Sequence, residues 1–245
     1  LTHSSHRSHA LISSAEVLCK VPQEADLAQV ATTYLFHLGY SACLKAGVTM
    51  GHRVAVIGLG TLGRTASALA HLAGAQVTGF SNHFYSDIDP VLWGMSGTSG
   101  KTNPDSVHLN YFDCVISTTN SWPDWKLALQ LSRRGGTVAT IGFPGRGQKI
   151  PDFNPLASQY FYDKQLTITS CGHVPNVDVA PFDIRFTLNR NCEFLMQAII
   201  DGSLPAADLI EDIRPAADLG QIYVDMITQR KSGRTFVLDW QKEKI

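Results

Sequence analysis

The sequence predicts a doubly wound α/β fold built on a parallel sheet. Short apolar runs recur along the chain: "RVAVIGLG", "QVTGFS", "FDCVISTT", "GTVATIGF" and "QLTITS". Between them lie stretches with helical spacing, notably "TLGRTASALAHLAGA" and "PDWKLALQLSRR". Strand–helix–strand alternation on this scale wraps a parallel sheet in helices. A glycine turn also closes the first run, which reads as a strand buried on both faces.

Each element follows in order. Val21 to Gly47 is a proline entry and then mostly helical text. After the first strand, Leu62, Ala66, Leu69 and Ala70 keep helical spacing and Gly74 supplies a stop. "QVTGFS" is the second strand. From His83 to His108 the pattern weakens, and "MSGTSGKTNPDS" reads as a loop. "FDCVISTT" and "GTVATIGF" are strands on either side of a helix ending in "LSRR", and "QLTITS" is a further strand. Past Val174 the texture changes. "NRNCEFLMQAIIDGSL" and "AADLGQIYVDMITQR" read as helices, and "GRTFVLDW" as a closing strand.

Composition excludes several classes. Of 245 residues, 44% are hydrophobic and 17% charged, a balance that argues against disorder. The formal net charge is -1 and no Lys/Arg block occurs, so neither nucleic acid nor an anionic membrane has electrostatic support as a partner. No apolar run reaches the roughly 18 to 20 residues that span a bilayer. The opening "LTHSSHRSH" carries no apolar signal core. Cys19, Cys43, Cys114, Cys171 and Cys192 are scattered and odd in number, which suits a reducing, cytoplasmic setting better than a disulfide framework. The chain opens at Leu1 within polar text, as a fragment or processed product would.

Gly58-x-Gly60-x-x-Gly63 carries the chemistry. Gly58 permits a tight turn, Gly60 lets a pyrophosphate approach the backbone, and Gly63 lets the helix pack closely on the strand. The helix N-terminus then offers N–H groups to the phosphates. A methyltransferase uses a similar loop, but an acid is missing at the end of the second strand. That position is Ser81, where an Asp or Glu would bind the ribose hydroxyls of NAD. Ser81, Asn82 and His83 are able to donate hydrogen bonds to a 2′-phosphate, although no Arg or Lys adjoins them in sequence. NADP is therefore preferred over NAD.

The stretch "GYSACLKAGVTMGHRVAVIGLGTLGRTASALAHLAGAQVTGFS", followed by "LALQLSRRGGTVATIGFPG" and "SGRTFVLDW", resembles the medium-chain dehydrogenase/reductase superfamily, in its zinc-type alcohol dehydrogenase members. The resemblance implies a Rossmann-type domain at 38–181 and remnant segments of a GroES-like catalytic domain. Those segments are 1–37, with the connecting helix, and the return at 182–245. It implies hydride transfer between a nicotinamide and a small alcohol or carbonyl. It also implies roles for single residues. Gly58, Leu59, Gly60, Thr61, Leu62 and Gly63 form the pyrophosphate turn. Ser81 and Asn82 face the adenosine ribose, with His83 beside them. Ser117 and Thr118 touch a cofactor ribose, Gly142, Phe143 and Pro144 run beside the nicotinamide half, and Arg234 contacts the pyrophosphate.

The sequence also departs from the family. The segment that supplies the first zinc ligands is reduced to about twenty residues, and the position of a later ligand falls near Tyr34. Zinc is not expected in this chain, and no catalytic residue is assigned. His37 reads as a packing residue. His3, His6 and His9 read as polar terminal sequence, because a remnant strand would send positions 3 and 6 to opposite faces. Cys171, with His173 nearby, reads as buried packing. The strand near Leu166–Ser170 resembles the one through which family members pair into homodimers. The expectation is an NAD(P)-dependent alcohol/carbonyl oxidoreductase, of which this is the cofactor-binding portion. The alternatives are a non-catalytic dinucleotide-binding or dimerisation module, and a zinc-independent enoyl- or quinone-type reductase.

Overall fold

The computed structural model describes residues 1, 2, 4, 6–82, 88–102, 104–172, 186–228 and 235–241. In chain order the elements are α1 (Leu27–Val30), α2 (Thr33–Ala46), β1 (Arg53–Ile57), α3 (Thr61–Leu72), β2 (Gln76–Phe80), β3 (Met95–Ser99) and β4 (Phe112–Ser117). There follow α4 (Trp122–Leu131), β5 (Ser132–Thr140), β6 (Thr167–Ser170), α5 (Leu188–Ile200), β7 (Ile210–Pro215), α6 (Leu219–Thr228) and β8 (Thr235–Asp239). They divide into two compact units, 38–173 and 1–37 with 174–245.

The unit 38–173 is a wholly parallel six-stranded sheet in the order β3-β2-β1-β4-β5-β6. This is the Rossmann-type doubly wound order. From β1 the chain winds towards β3, and from β4 towards β6. Right-handed crossovers therefore put α3 and α4 on opposite faces of the sheet. Val54, Ala55, Val56 and Ile57 consequently have no solvent exposure at all, which is why β1 reads as an unbroken apolar run. Ala55 and Ile57 join Phe112, Val115, Leu127, Ala128, Leu129 and Leu131 in one core cluster. On α2, Gly39 lies so close to α3 that an added Cβ would meet the Ala66 nitrogen at 2.7 Å.

Two sequence expectations are corrected here. "MSGTSGKTNPDS" is not all loop, because Met95–Ser99 forms β3 and pairs with β2. As an edge strand it buries only Met95, so an apolar signature is not required of it. The helix expected through "LSRR" stops at Leu131, and β5 starts at Ser132. Ser132 already pairs with Phe112 of β4, and the neighbouring Asp113 accepts from the Arg133 side chain and, at 2.8 Å, from the Arg53 N–H.

In the other unit α5 packs on α1, and Val30, Leu188, Cys192 and Met196 form one cluster with Leu18 and Cys19. β7, unannounced by the sequence, pairs in parallel with β8. The first described residues make a single antiparallel bridge, Thr2 to Val17, where a remnant strand is expected. Among the described residues no helix is long and apolar enough to cross a membrane. All five cysteines are free and buried. Burial pushes the thiols of Cys43 and Cys192 up to about 12 and those of Cys114 and Cys171 up to about 11.

Candidate dinucleotide site

The glycine turn sits where the strand order reverses, at the carboxyl ends of β1 and β4. Crevices at such switch points are where open α/β sheets bind ligands. Gly58 has φ +90°, a left-handed conformation that favours glycine, and its N–H donates to the Phe80 carbonyl at 2.9 Å. Gly60 is the N-cap of α3 and, as a glycine, makes no side-chain capping bond. The N-terminus of this twelve-residue helix thus faces a turn that has no side chain at 58 or 60. This arrangement fits a diphosphate.

The turn is braced from β4. The Thr118 hydroxyl reaches the carbonyl oxygens of Ile57 (3.0 Å) and Gly58 (3.1 Å). A Cβ on Gly63 would lie 1.8 Å from the Gly58 oxygen and 3.5 Å from Val56 Cγ1. The close approach expected of Gly63 is therefore made mainly to the turn and only secondarily to the strand. Leu59 is buried beside Gly79 and Leu62 is half-buried, so both contribute backbone to the turn.

At the end of β2, Ser81 is buried and its N–H donates to the Ser99 carbonyl at 3.0 Å. Asn82 Oδ1 accepts from the backbone N–H groups of Lys101 (2.8 Å) and Thr102 (3.2 Å), and Asn82 Nδ2 donates to the Thr102 hydroxyl (2.9 Å). The side chain therefore ties the ends of β2 and β3 together. His83 and Arg234 lie outside the described residues, as do His3 and His173.

On the other side of the turn, the Ser117 carbonyl accepts from Ile141 at 2.9 Å. Gly142 passes so near the segment after β4 that a Cβ there would meet the Thr119 oxygen at 2.2 Å. Phe143 donates its N–H to Asn120 Oδ1 (2.7 Å), and its exposed ring carries the Arg146 guanidinium 5.1 Å from its centroid. Pro144 follows, half-buried.

The fold also brings together residues that the sequence did not single out. Lys101 Nζ donates to Asp124 Oδ2 at 2.7 Å, and the Thr119 hydroxyl donates to the same oxygen at 2.7 Å. Lys101 is far from Ser81 along the chain, and only strand pairing sets the two side by side.

No family model matches the chain. Over 177 residues it is 27% identical to NADP-dependent alcohol dehydrogenase C 1 of Mycolicibacterium smegmatis, covering 71% of this chain and 49% of that protein. Galactitol-1-phosphate dehydrogenase from Escherichia coli superposes with TM-score 0.74 at 16% identity, over 93% of this chain and 64% of that one. L-idonate 5-dehydrogenase from Escherichia coli gives TM-score 0.71 at 18% identity, over 89% and 59%. The chain resembles the medium-chain dehydrogenase/reductases.

It spans about half the length of the curated relatives it first matches, 49% of the alcohol dehydrogenase above. Fold and likeness together support a dinucleotide-binding, oxidoreductase-like module of the medium-chain dehydrogenase/reductase kind. Among the described residues no group of three or more His, Cys, Asp or Glu is arranged to hold a metal. His37 is buried in α2, its ring 5.7 Å from that of Tyr34. Cys171 is buried directly after β6, its N–H donating to the Thr140 carbonyl at 2.9 Å.

Proposed function

We propose that the unit 38–173 binds NADP along the carboxyl edge of its sheet, and that the protein serves hydride transfer between an alcohol and a carbonyl. The observation that carries this is the N-terminus of α3, with a glycine at its N-cap, placed at the Gly58–Gly63 turn and the strand-order switch. The turn holds the diphosphate through backbone N–H groups. Ser81 and Asn82 face the adenosine ribose, and the absence of an acid at Ser81 leaves a 2′-phosphate unrepelled. The name of the mycolicibacterial relative, which is NADP-dependent, supports the same choice.

Ser117 and Thr118 line the path towards the second ribose. Gly142, Phe143 and Pro144 flank the nicotinamide, with the exposed Phe143 ring covering that end from water. His83 and Arg234 keep the roles the resemblance gives them. When bound, the nicotinamide supplies the hydride chemistry; the chain orients it.

Titration of the purified chain with NADPH and separately with NADH, followed by nucleotide fluorescence, tests the reading. Saturable binding with NADPH the tighter is expected. Tighter NADH would remove the NADP assignment alone, and a folded chain binding neither would remove the site. The same reading assigns the edge strand β6 to pairing with a second copy, so sedimentation is expected to give a dimer. A monomer at micromolar concentration would refute that part.

A further inference from the structure

We propose that Lys101 is the cationic anchor for a phosphate ester on the adenosine ribose, held by Asp124 until a nucleotide enters and then exchanged onto the phosphate. This rests on the dinucleotide reading above.

The root and the tip of this side chain lie at different parts of the crevice. The Lys101 N–H donates to Asn82 Oδ1 at 2.8 Å, so the residue leaves the backbone beside the end of β2. Its ammonium lies on Asp124 Oδ2, 2.7 Å away, in the first turn of α4. In the sheet, β2 and β1 stand between β3 and β4, the strands that precede these two residues. The pair therefore runs along the carboxyl edge of the sheet. Its far end meets the glycine turn: a Cβ on Gly58 would lie 2.7 Å from Thr119 Cγ2, and the Thr119 hydroxyl donates to Asp124 at 2.7 Å.

The chemistry favours exchange. Lys101 touches Asp124 through one point contact on a flexible stem, not through a planar two-point fork. The Lys101 side chain is 20% exposed and that of Asp124 only 6%. The lysine is thus the mobile partner and the carboxylate the fixed one. When the ammonium leaves, Asp124 keeps the Thr119 hydroxyl and is not stripped of partners. A phosphate monoester brings up to twice the charge of a carboxylate and three acceptor oxygens, so it outcompetes Asp124 for the ammonium. A ribose bearing only hydroxyls offers no such competition, and Lys101 then stays on Asp124. The cation that Ser81 and Asn82 lack in sequence is supplied across the sheet.

The test compares the intact chain with Lys101→Met and Lys101→Arg by NADPH and NADH titration, with a thermal melt of each. Lys101→Met is expected to weaken NADPH by about tenfold or more while NADH stays within about twofold, and Lys101→Arg to keep most of the NADPH affinity. Unchanged NADPH affinity, or equal loss for both nucleotides, overturns the proposal; equal loss with a lowered melting temperature would mark Lys101 as a strut. Wild-type protein that binds neither nucleotide overturns the underlying reading and this proposal with it. Wild type that binds both, with Lys101→Met undiminished for NADPH, overturns the exchange alone. If Lys101→Met does not fold, Asp124→Asn decides. Tighter NADPH binding sustains the exchange, and unchanged or weaker affinity refutes it.

Discussion

Gly63→Ala is expected to destabilise the sheet unit by about 3 kcal/mol, an overpacking penalty at the upper end of the usual range. Two effects oppose each other, and their sizes decide the sign. Replacing a helical glycine by alanine gains up to about 1 kcal/mol from propensity. Against this, the new methyl would sit 1.8 Å from the Gly58 carbonyl oxygen and 2.9 Å from its carbon. Both atoms are backbone, and Thr118 holds that carbonyl from the other side at 3.1 Å. Nothing nearby yields cheaply, so the turn must open or α3 must shift. Gly220→Ala in α6 is the control, because nothing lies within 4 Å of its added Cβ. Thermal unfolding by circular dichroism should separate them, with a fall of roughly 10 °C for Gly63→Ala and no fall, or a small rise, for Gly220→Ala. An unaltered melting temperature for Gly63→Ala would contradict the close approach.

Trp93→Ala is the second large effect, at about 3 to 5 kcal/mol. Trp93 is only 1% exposed, although it lies in the connection between β2 and β3. The Arg64 guanidinium of α3 lies 5.1 Å from its ring centroid, an arrangement worth up to about 2 kcal/mol when desolvated. Next to it, Gly94 presses on α3 so closely that a Cβ would come 2.3 Å from that of His71. The Trp93 ring and Gly94 together pin the segment that leads into β3. Removing the ring leaves a cavity beside a buried arginine and loosens the edge strand. Guanidinium unfolding should give a lower midpoint, and Trp93→Phe should recover part of the loss. If Trp93→Ala unfolds at the wild-type midpoint, the ring has no such role.

The centre of the fold was legible because its residues are constrained on two sides at once. Val54 to Ile57 face helices above and below, so their apolar run, the turn at Gly58 and the helix from Thr61 leave a plain record in sequence. At the sheet margin the constraint falls away. Ser96, Gly97 and Thr98 need only backbone pairing with β2, and β7 buries too little for a strand pattern to emerge. The site divides along the same line. Positions next to a strand end, such as Ser81 and Ser117, follow from local order. Lys101 reaches Asp124 only because the parallel sheet brings the carboxyl ends of β3 and β4 to one edge, and no spacing within one segment records that.

The sealed thiols give each half of the molecule its own clock. With burial holding them at about 11 to 12, Cys43, Cys114, Cys171 and Cys192 carry almost no thiolate near neutrality, and a thiol-directed reagent must wait for the structure around them to open. Cys43, Cys114 and Cys171 belong to the sheet unit; Cys19 and Cys192 belong to the unit formed by the two ends of the chain. Timed alkylation read by peptide mass therefore dates the breathing of each unit separately, within one unmodified protein. A bound nucleotide that steadies the sheet slows the alkylation of Cys43, Cys114 and Cys171, and Cys19 and Cys192 report how far the other unit responds.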